Sequence, residues 1–182
     1  MRSLVLLSSG LGALSLLGAE PAEYEGLIIH AAPKPLAADA VEEDWPHFLG
    51  PRFNATSGET ELLQKWPAGG PRVVWERSCG EGYSGPVLAD GRLVFFHRSG
   101  GQEVVECLEA ETGKRFWRFA YQVDYTDRYG FSPGPRASPM IAAGKVYVAG
   151  VTALLHCLDL ATGEVVWKRD LAKEYEVPQY FF

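Results

Sequence analysis

The stretch Cys107-Leu108-Glu109-Ala110-Glu111-Thr112-Gly113-Lys114-Arg115-Phe116-Trp117 returns fifty residues later as Cys157-Leu158-Asp159-Leu160-Ala161-Thr162-Gly163-Glu164-Val165-Val166-Trp167. Cys, Leu, an acid, Thr-Gly and Trp fall in one register both times. Self-similarity at a fixed period marks a repeat architecture, in which each unit buries its apolar face against its neighbours. It also directs attention to surfaces rather than to a catalytic pocket.

The repeat extends upstream. Pro86-Val87-Leu88-Ala89-Asp90-Gly91-Arg92-Leu93-Val94-Phe95 precedes the first copy, and Pro139-Met140-Ile141-Ala142-Ala143-Gly144-Lys145-Val146-Tyr147-Val148 precedes the second. Each is a pair of apolar runs split by a two-residue turn ending in Gly, a strong hairpin signal because both turn residues need positive φ. The Thr-Gly stretches read as slightly longer turns with Gly at the left-handed position. Each unit therefore holds four short antiparallel strands, the size of a propeller blade. The fold class is all-β: a β-propeller of four-stranded antiparallel blades, incomplete, with about two blades plus part of another. The blades are expected at about 83–120 and 136–170, with Val73-Val74-Trp75 as the last strand of a partial earlier one.

The residues after each Trp recur too, Tyr125 with Tyr175 and Phe131 with Phe181. After Phe181 only one residue remains, so the propeller is expected to be truncated at its C-terminus or to complete itself by self-association. An open stack of sheets exposes edges and apolar faces.

The 182 residues suffice for a sizeable core, and 47% hydrophobic with 22% charged is a globular balance. Twenty Gly and twelve Pro suit a turn-rich β protein. Away from the N-terminus no long 3.6-residue apolar period occurs, so almost no helix is expected beyond a turn or two over 59–66. A net charge of −6 without any Lys/Arg cluster excludes a nucleic-acid binder, which needs a basic surface to displace counterions.

Arg2, the apolar run Leu4–Leu17 and the small pair Gly18-Ala19 read as a signal peptide over 1–19. The run is short of the ~20 apolar residues of a membrane span. The mature chain is then expected to be exported, periplasmic or secreted, without a transmembrane segment. Residues 20–44, rich in Ala, Pro and acids, read as a flexible leader, and 45–182 as the repeats. The stretch from Trp45 to Pro51 has the aromatic and Pro/Gly content to pack against a blade. Three cysteines, Cys79, Cys107 and Cys157, leave at least one unpaired. Cys107 and Cys157, at equivalent strand positions, read as small buried hydrophobes.

These residues resemble the PQQ-like β-propeller repeats of bacterial quinoprotein-like proteins. The resemblance rests on the pattern Ala-x-Asp-x-x-Thr-Gly-x-x-x-Trp. Cys107 and Cys157 take the Ala position, Glu109 and Asp159 the acid, with Thr112, Gly113, Trp117, Thr162, Gly163 and Trp167 matching. Lys114 agrees with the family's usual Lys, while Glu164 departs. The segments Asp44–Pro51 and Gly134–Pro139 also look like its N-terminal blades, so about 44–182 is covered. The physical roles of the pattern are structural. Trp offers a flat face to the next blade and an indole N–H in need of an acceptor. The acid and Thr tie down turn amides, and Gly permits the left-handed turn.

The resemblance implies one of two functions. The first is an exported, non-catalytic binding or scaffold module, similar to propellers of envelope assembly. It would hold a protein or polymer partner through the 121–136 loop with Tyr121, Tyr125, Tyr129 and Phe131. The second is the N-terminal part of a quinoprotein dehydrogenase, which holds PQQ with calcium at the propeller centre beside a vicinal disulfide. The chain has no adjacent Cys pair and no evident calcium cluster. No catalytic residue and no metal ligand is assigned, and no cofactor is evident outside that alternative.

Other patterns fail on context. Gly80-Glu81-Gly82-Tyr83-Ser84-Gly85 fits a dinucleotide fingerprint, but Pro86 and a hairpin come where a helix must open. Gly130-Phe131-Ser132-Pro133-Gly134 fits a nucleophile elbow, but Pro133, Pro135 and Pro139 forbid the helix that must come next. Asn54-Ala55-Thr56 is a glycosylation sequon. His30, His47, His97 and His156 are scattered, and His156 reads as a packed or edge residue.

Overall fold

The computed structural model describes residues 25–60 and 62–176. The signal-peptide reading of 1–19 and the position of Phe181 lie outside them. Among the described residues ten strands and one short helix run in chain order: β1 (Leu27–Ile29), β2 (Trp75–Arg77), β3 (Val87–Ala89), β4 (Arg92–Ser99), β5 (Gln102–Glu109), β6 (Arg115–Gln122), β7 (Met140–Ala142), β8 (Lys145–Ala149), β9 (Leu154–Asp159), β10 (Val165–Asp170) and α1 (Leu171–Glu174). β3-β4-β5-β6 form one four-stranded antiparallel meander, blade 1, and β7-β8-β9-β10 a second, blade 2. β1 and β2 pair in a separate two-stranded ribbon. The described residues thus form part of a propeller: two whole blades and part of another.

The hairpin turns arise from local chemistry. Asp90 and Gly91 have φ of 51° and 68°, and Ala143 and Gly144 have 48° and 68°, the left-handed pair that a two-residue turn between twisted strands requires. Gly113 and Gly163 close the longer turns at φ 71° and 76°.

Strand patterns record the layering. β5 is buried along nearly its whole length, on both faces, because it is an interior strand of a blade covered on each side. β8 alternates buried and half-buried residues, whereas β10 is exposed over most of its length. Val94, Phe96, Val105, Val146, Val148 and Leu158, drawn from both blades, form one continuous core.

Two expectations are corrected. No helix forms at 59–66 among the described residues. Leu62, Leu63 and Trp66 remain 59–69% exposed, so a helical turn there gains no packing to offset the cost of nucleation. The stretch expected as a leader also contains a strand: Leu27, Ile28 and Ile29 pair with Arg77, Glu76 and Trp75. That apolar triplet is the partner strand that Trp75–Arg77 needs to satisfy its backbone groups.

Farther along, Trp45 bridges Leu88 by two backbone hydrogen bonds of 2.8 and 2.9 Å, and Ile141 N–H donates to Pro46 O at 2.7 Å. The segment therefore runs along the first strand of each blade, β3 and β7.

Candidate functional site: blade joints and the aromatic loop

Each blade is attached to the next by the same device. Trp75 Nε1–H donates to Ala110 O at 3.0 Å, and Trp117 Nε1–H donates to Leu160 O at 2.9 Å. Each acceptor stands three residues before a turn glycine. A Cβ on Gly113 or Gly163 would lie 2.6 Å from the Trp75 or Trp117 ring, so each indole lies flat on a turn that only glycine can form. The turns are braced from within. The Thr112 hydroxyl donates to Glu109, while Asp159 accepts from the amides of Ala161 at 3.0 Å and Thr162 at 3.2 Å. Lys145 Nζ adds an ion pair to Asp159 at 2.7 Å. Trp167, third in the series, is 39% exposed and meets only the Tyr147 ring, 6.0 Å away, among the aromatic contacts of the described residues. Cys107 and Cys157 are buried free thiols, and Cys79 is an exposed one. Burial pushes the Cys107 thiol up to about 11, so it is protonated and unreactive at neutral pH.

Polar joints lie beside the tryptophans. Glu106, buried in β5, takes Arg115 Nη1 at 2.6 Å and lies 3.6 Å from Arg77 Nη2 and from His97 Nε2. His97 Nδ1 accepts the Gly80 amide at 2.9 Å, which leaves the ring proton on Nε2, facing Glu106. Burial alone would raise the Glu106 carboxyl. The donors His97 and Arg115, with the charges of Arg77 and Arg115, outweigh it and hold the carboxyl at about 2. Because Arg77 belongs to β2, this network ties the β1–β2 ribbon to blade 1. On the other side, Glu103 accepts the Val151 amide of blade 2 at 2.9 Å and the Tyr121 hydroxyl at 2.6 Å.

The chain between the blades is pinned rather than loose. Arg98 donates to the carbonyls of Tyr125 (2.8 Å), Pro133 (3.0 Å) and Val123 (3.3 Å). Asp127 accepts the Phe131 amide and pairs with Arg136 at 3.3 Å, and the Arg136 guanidinium lies 5.7 Å over the Tyr125 ring. On this frame Tyr129 and Phe131, rings 6.5 Å apart, stand 57% and 74% exposed.

Of the four aromatics expected to act together, the structure brings Tyr129 and Phe131 to the surface as a pair. It places Tyr125 under Arg136. Tyr121 is a correction: it lies near the end of β6, and its hydroxyl turns into the blade joint to bond Glu103. The glycine-rich stretch 80–85 is a close backbone crossing, since a Cβ on Gly80 would lie 1.9 Å from Arg98 O. His156 is buried between the Phe119 and Tyr121 rings, at 5.2 and 4.5 Å. Sequence reasoning missed Glu103, Glu106, Arg77 and Arg115. Two acids inside the apolar run Val104–Leu108 and its flank were the available signal, but their partners come from other strands.

The chain is similar to known proteins of two kinds. A family model described as outer membrane protein assembly factor BamB matches residues 37–118 and 100–180. The quinohemoprotein alcohol dehydrogenase of Comamonas testosteroni is 31% identical over 86 residues, 47% of this chain and 12% of that protein. Among solved structures, BamB from Moraxella catarrhalis aligns at 21% identity and a TM-score of 0.40, over 52% of this chain and 26% of its own. The quinohemoprotein alcohol dehydrogenase structure from Comamonas testosteroni aligns at 29% identity and a TM-score of 0.37, over 53% and 14%. Among the described residues no helix is long and apolar enough to cross a membrane.

Proposed function

The chain belongs to the PQQ-like repeat family described as outer membrane protein assembly factor BamB, and we propose on that footing that it is an exported, non-catalytic binding module that holds a protein partner on its 123–136 loop. The observation that carries the reading is the pair Tyr129 and Phe131, exposed on a loop whose backbone is fastened by Arg98 and Asp127. Large aromatics are frequent anchors of interfaces, and a loop already ordered loses little entropy on binding. The family description points to the machinery that assembles outer-membrane proteins as the partner class, hence to an envelope location. The signal-peptide pattern at 1–19 supports the same compartment.

The test starts from a photo-crosslinking residue at position 131 in the intact envelope, followed by titration of the captured protein. Tyr129→Ser with Phe131→Ser is expected to weaken its binding at least about tenfold while the urea midpoint stays put. Equal affinity of both forms refutes the loop as the binding surface.

One observation favours a second reading, the N-terminal part of a PQQ-dependent dehydrogenase: the 31% identity to the quinohemoprotein enzyme. The residues described do not fit that cofactor. No three His, Cys, Asp or Glu among them are placed to hold a metal ion, and no two cysteines are adjacent. The match spans 12% of the enzyme, so the reading rests on chain beyond this match. Adding PQQ and calcium separates the two: cofactor absorbance with dye-linked alcohol oxidation supports the enzyme, and neither signal rejects it for this chain.

A further inference from the structure

The joint between the two blades encloses a carboxyl group that forms no salt bridge among the described residues. Glu103 is 0% exposed, and among the described residues no ion pair reaches it. Its oxygens divide between the blades: Oε1 accepts the Val151 amide of the β8–β9 turn, and Oε2 accepts the Tyr121 hydroxyl of its own blade. Strand register explains the grouping. Arg98 lies opposite Glu103 across β4 and β5, and Tyr121 lies opposite it across β5 and β6, so the three side chains share one face.

Blade 2 is pressed onto this group. A Cβ on Gly150 would lie 2.1 Å from Glu103 Oε2 and 2.3 Å from Tyr121 Oη. Gly150 does not have a positive φ, so it is required here for space rather than for conformation. His156 of β9 lies tilted 4.5 Å from the Tyr121 ring, its Nδ1 buried without a hydrogen-bond partner, and burial, then the charge of Lys168 of β10, oppose any charge on it. Arg98 faces Glu103 electrostatically, but its donors are engaged by the loop carbonyls of Val123, Tyr125 and Pro133.

We propose that Glu103 is a proton-operated latch between the blades, closed on the Gly150–Ala153 turn when its carboxyl is neutral and released when the proton leaves to solvent. The ionised group is offset only in part by the Val151 amide, the Tyr121 hydroxyl and the charge of Arg98 across the strand, and burying it costs free energy inside a protein. It also draws Arg98 away from the loop carbonyls, which loosens the chain that carries Tyr129 and Phe131. Burial raises the Glu103 carboxyl above its ordinary value, and the bonds from Tyr121 and Val151 and the charge of Arg98 offset only part of this. With the folded value raised, the latch is fully closed below the unfolded value near 4.5 and opens as pH rises through the folded value.

Amide hydrogen exchange on the full chain at pH 5 and pH 8, corrected for intrinsic rates, reads the latch directly and needs no bound partner. Protection of Val151 is expected to fall at least about tenfold from the lower to the higher pH. The β2 amides, joined through the low-lying Glu106, are expected to hold steady. Glu103→Gln should abolish the fall. Tyr121→Phe removes a donor to the charged form and should move the midpoint to higher pH, an outcome that decides the matter even if Glu103→Gln does not fold. Equal Val151 protection at both pH values, an equal fall in Glu103→Gln, or an unmoved midpoint in Tyr121→Phe overturns the latch.

Discussion

At the scale of single residues, two demands on glycine separate cleanly. Gly91 and Gly163 both have positive φ, 68° and 76°. A Cβ on Gly91 meets nothing within 4 Å, whereas one on Gly163 would enter the Trp117 ring. Gly91→Ala is therefore expected to lose about 1 kcal/mol, the backbone penalty alone. Gly163→Ala adds overpacking against an indole and should lose about 2–4 kcal/mol. Urea midpoints of the two variants measure the difference, and equal losses would show that the ring does not rest on the turn. Asp159 and Glu109 hold one position with different reach: the shorter side chain caps amides, and the longer one binds the Thr112 hydroxyl.

At the scale of elements, β6 and β10 carry the same Trp and have opposite surroundings. Trp117 is 8% exposed with its indole N–H satisfied by the next blade, and Trp167 is 39% exposed on an outward strand. Trp117→Ala is expected to cost about 3–5 kcal/mol, the range for emptying a buried aromatic site. Trp167→Ala should cost less than about 1 kcal/mol, as for a surface substitution. Parallel denaturation of the two variants checks this, and similar losses would mean that β10 is covered in solution, by a second copy or by another blade.

At the scale of the whole molecule, the ribbon, blade 1 and blade 2 are joined in series by two buried carboxyl groups that titrate in opposite senses. Glu106 is held at about 2, below its unfolded value near 4.5. A lowered folded value contributes stability above the unfolded value and loses it as pH falls toward the folded one. The melting temperature is thus expected to drop between pH 4.5 and about 2 as Glu106 takes up a proton. Glu106→Gln should be less stable at pH 7, where Arg77 and Arg115 lose their shared anion, and should lack that acid-dependent loss. Thermal melts from pH 2 to 7 test this, and matching acid slopes in the two proteins would exclude Glu106 as the source. Glu103 acts in the other direction, so each joint has its own pH at which it is weakest.

Much of this architecture was legible in the chain before folding. The fifty-residue repeat, the Asp90-Gly91 and Ala143-Gly144 turns and the two Thr-Gly turns specify four-stranded units, because periodicity and positive φ are local properties. The Trp-to-turn contact was foreseeable from the indole's need for an acceptor and a flat surface. The pairing of Leu27–Ile29 with β2, the turning of Tyr121 inward, and the buried groups around Glu103 and Glu106 were not. A three-residue apolar triplet and two acids in a strand are ambiguous on their own. Which side chains meet depends on register and on how one sheet lies against the next, and these are set by packing between residues as far apart as Glu103 and Val151. The repeating unit was thus written locally, residue by residue. Which polar groups close between units, and which aromatics are left to face solvent, arose from the packing of one sheet on another.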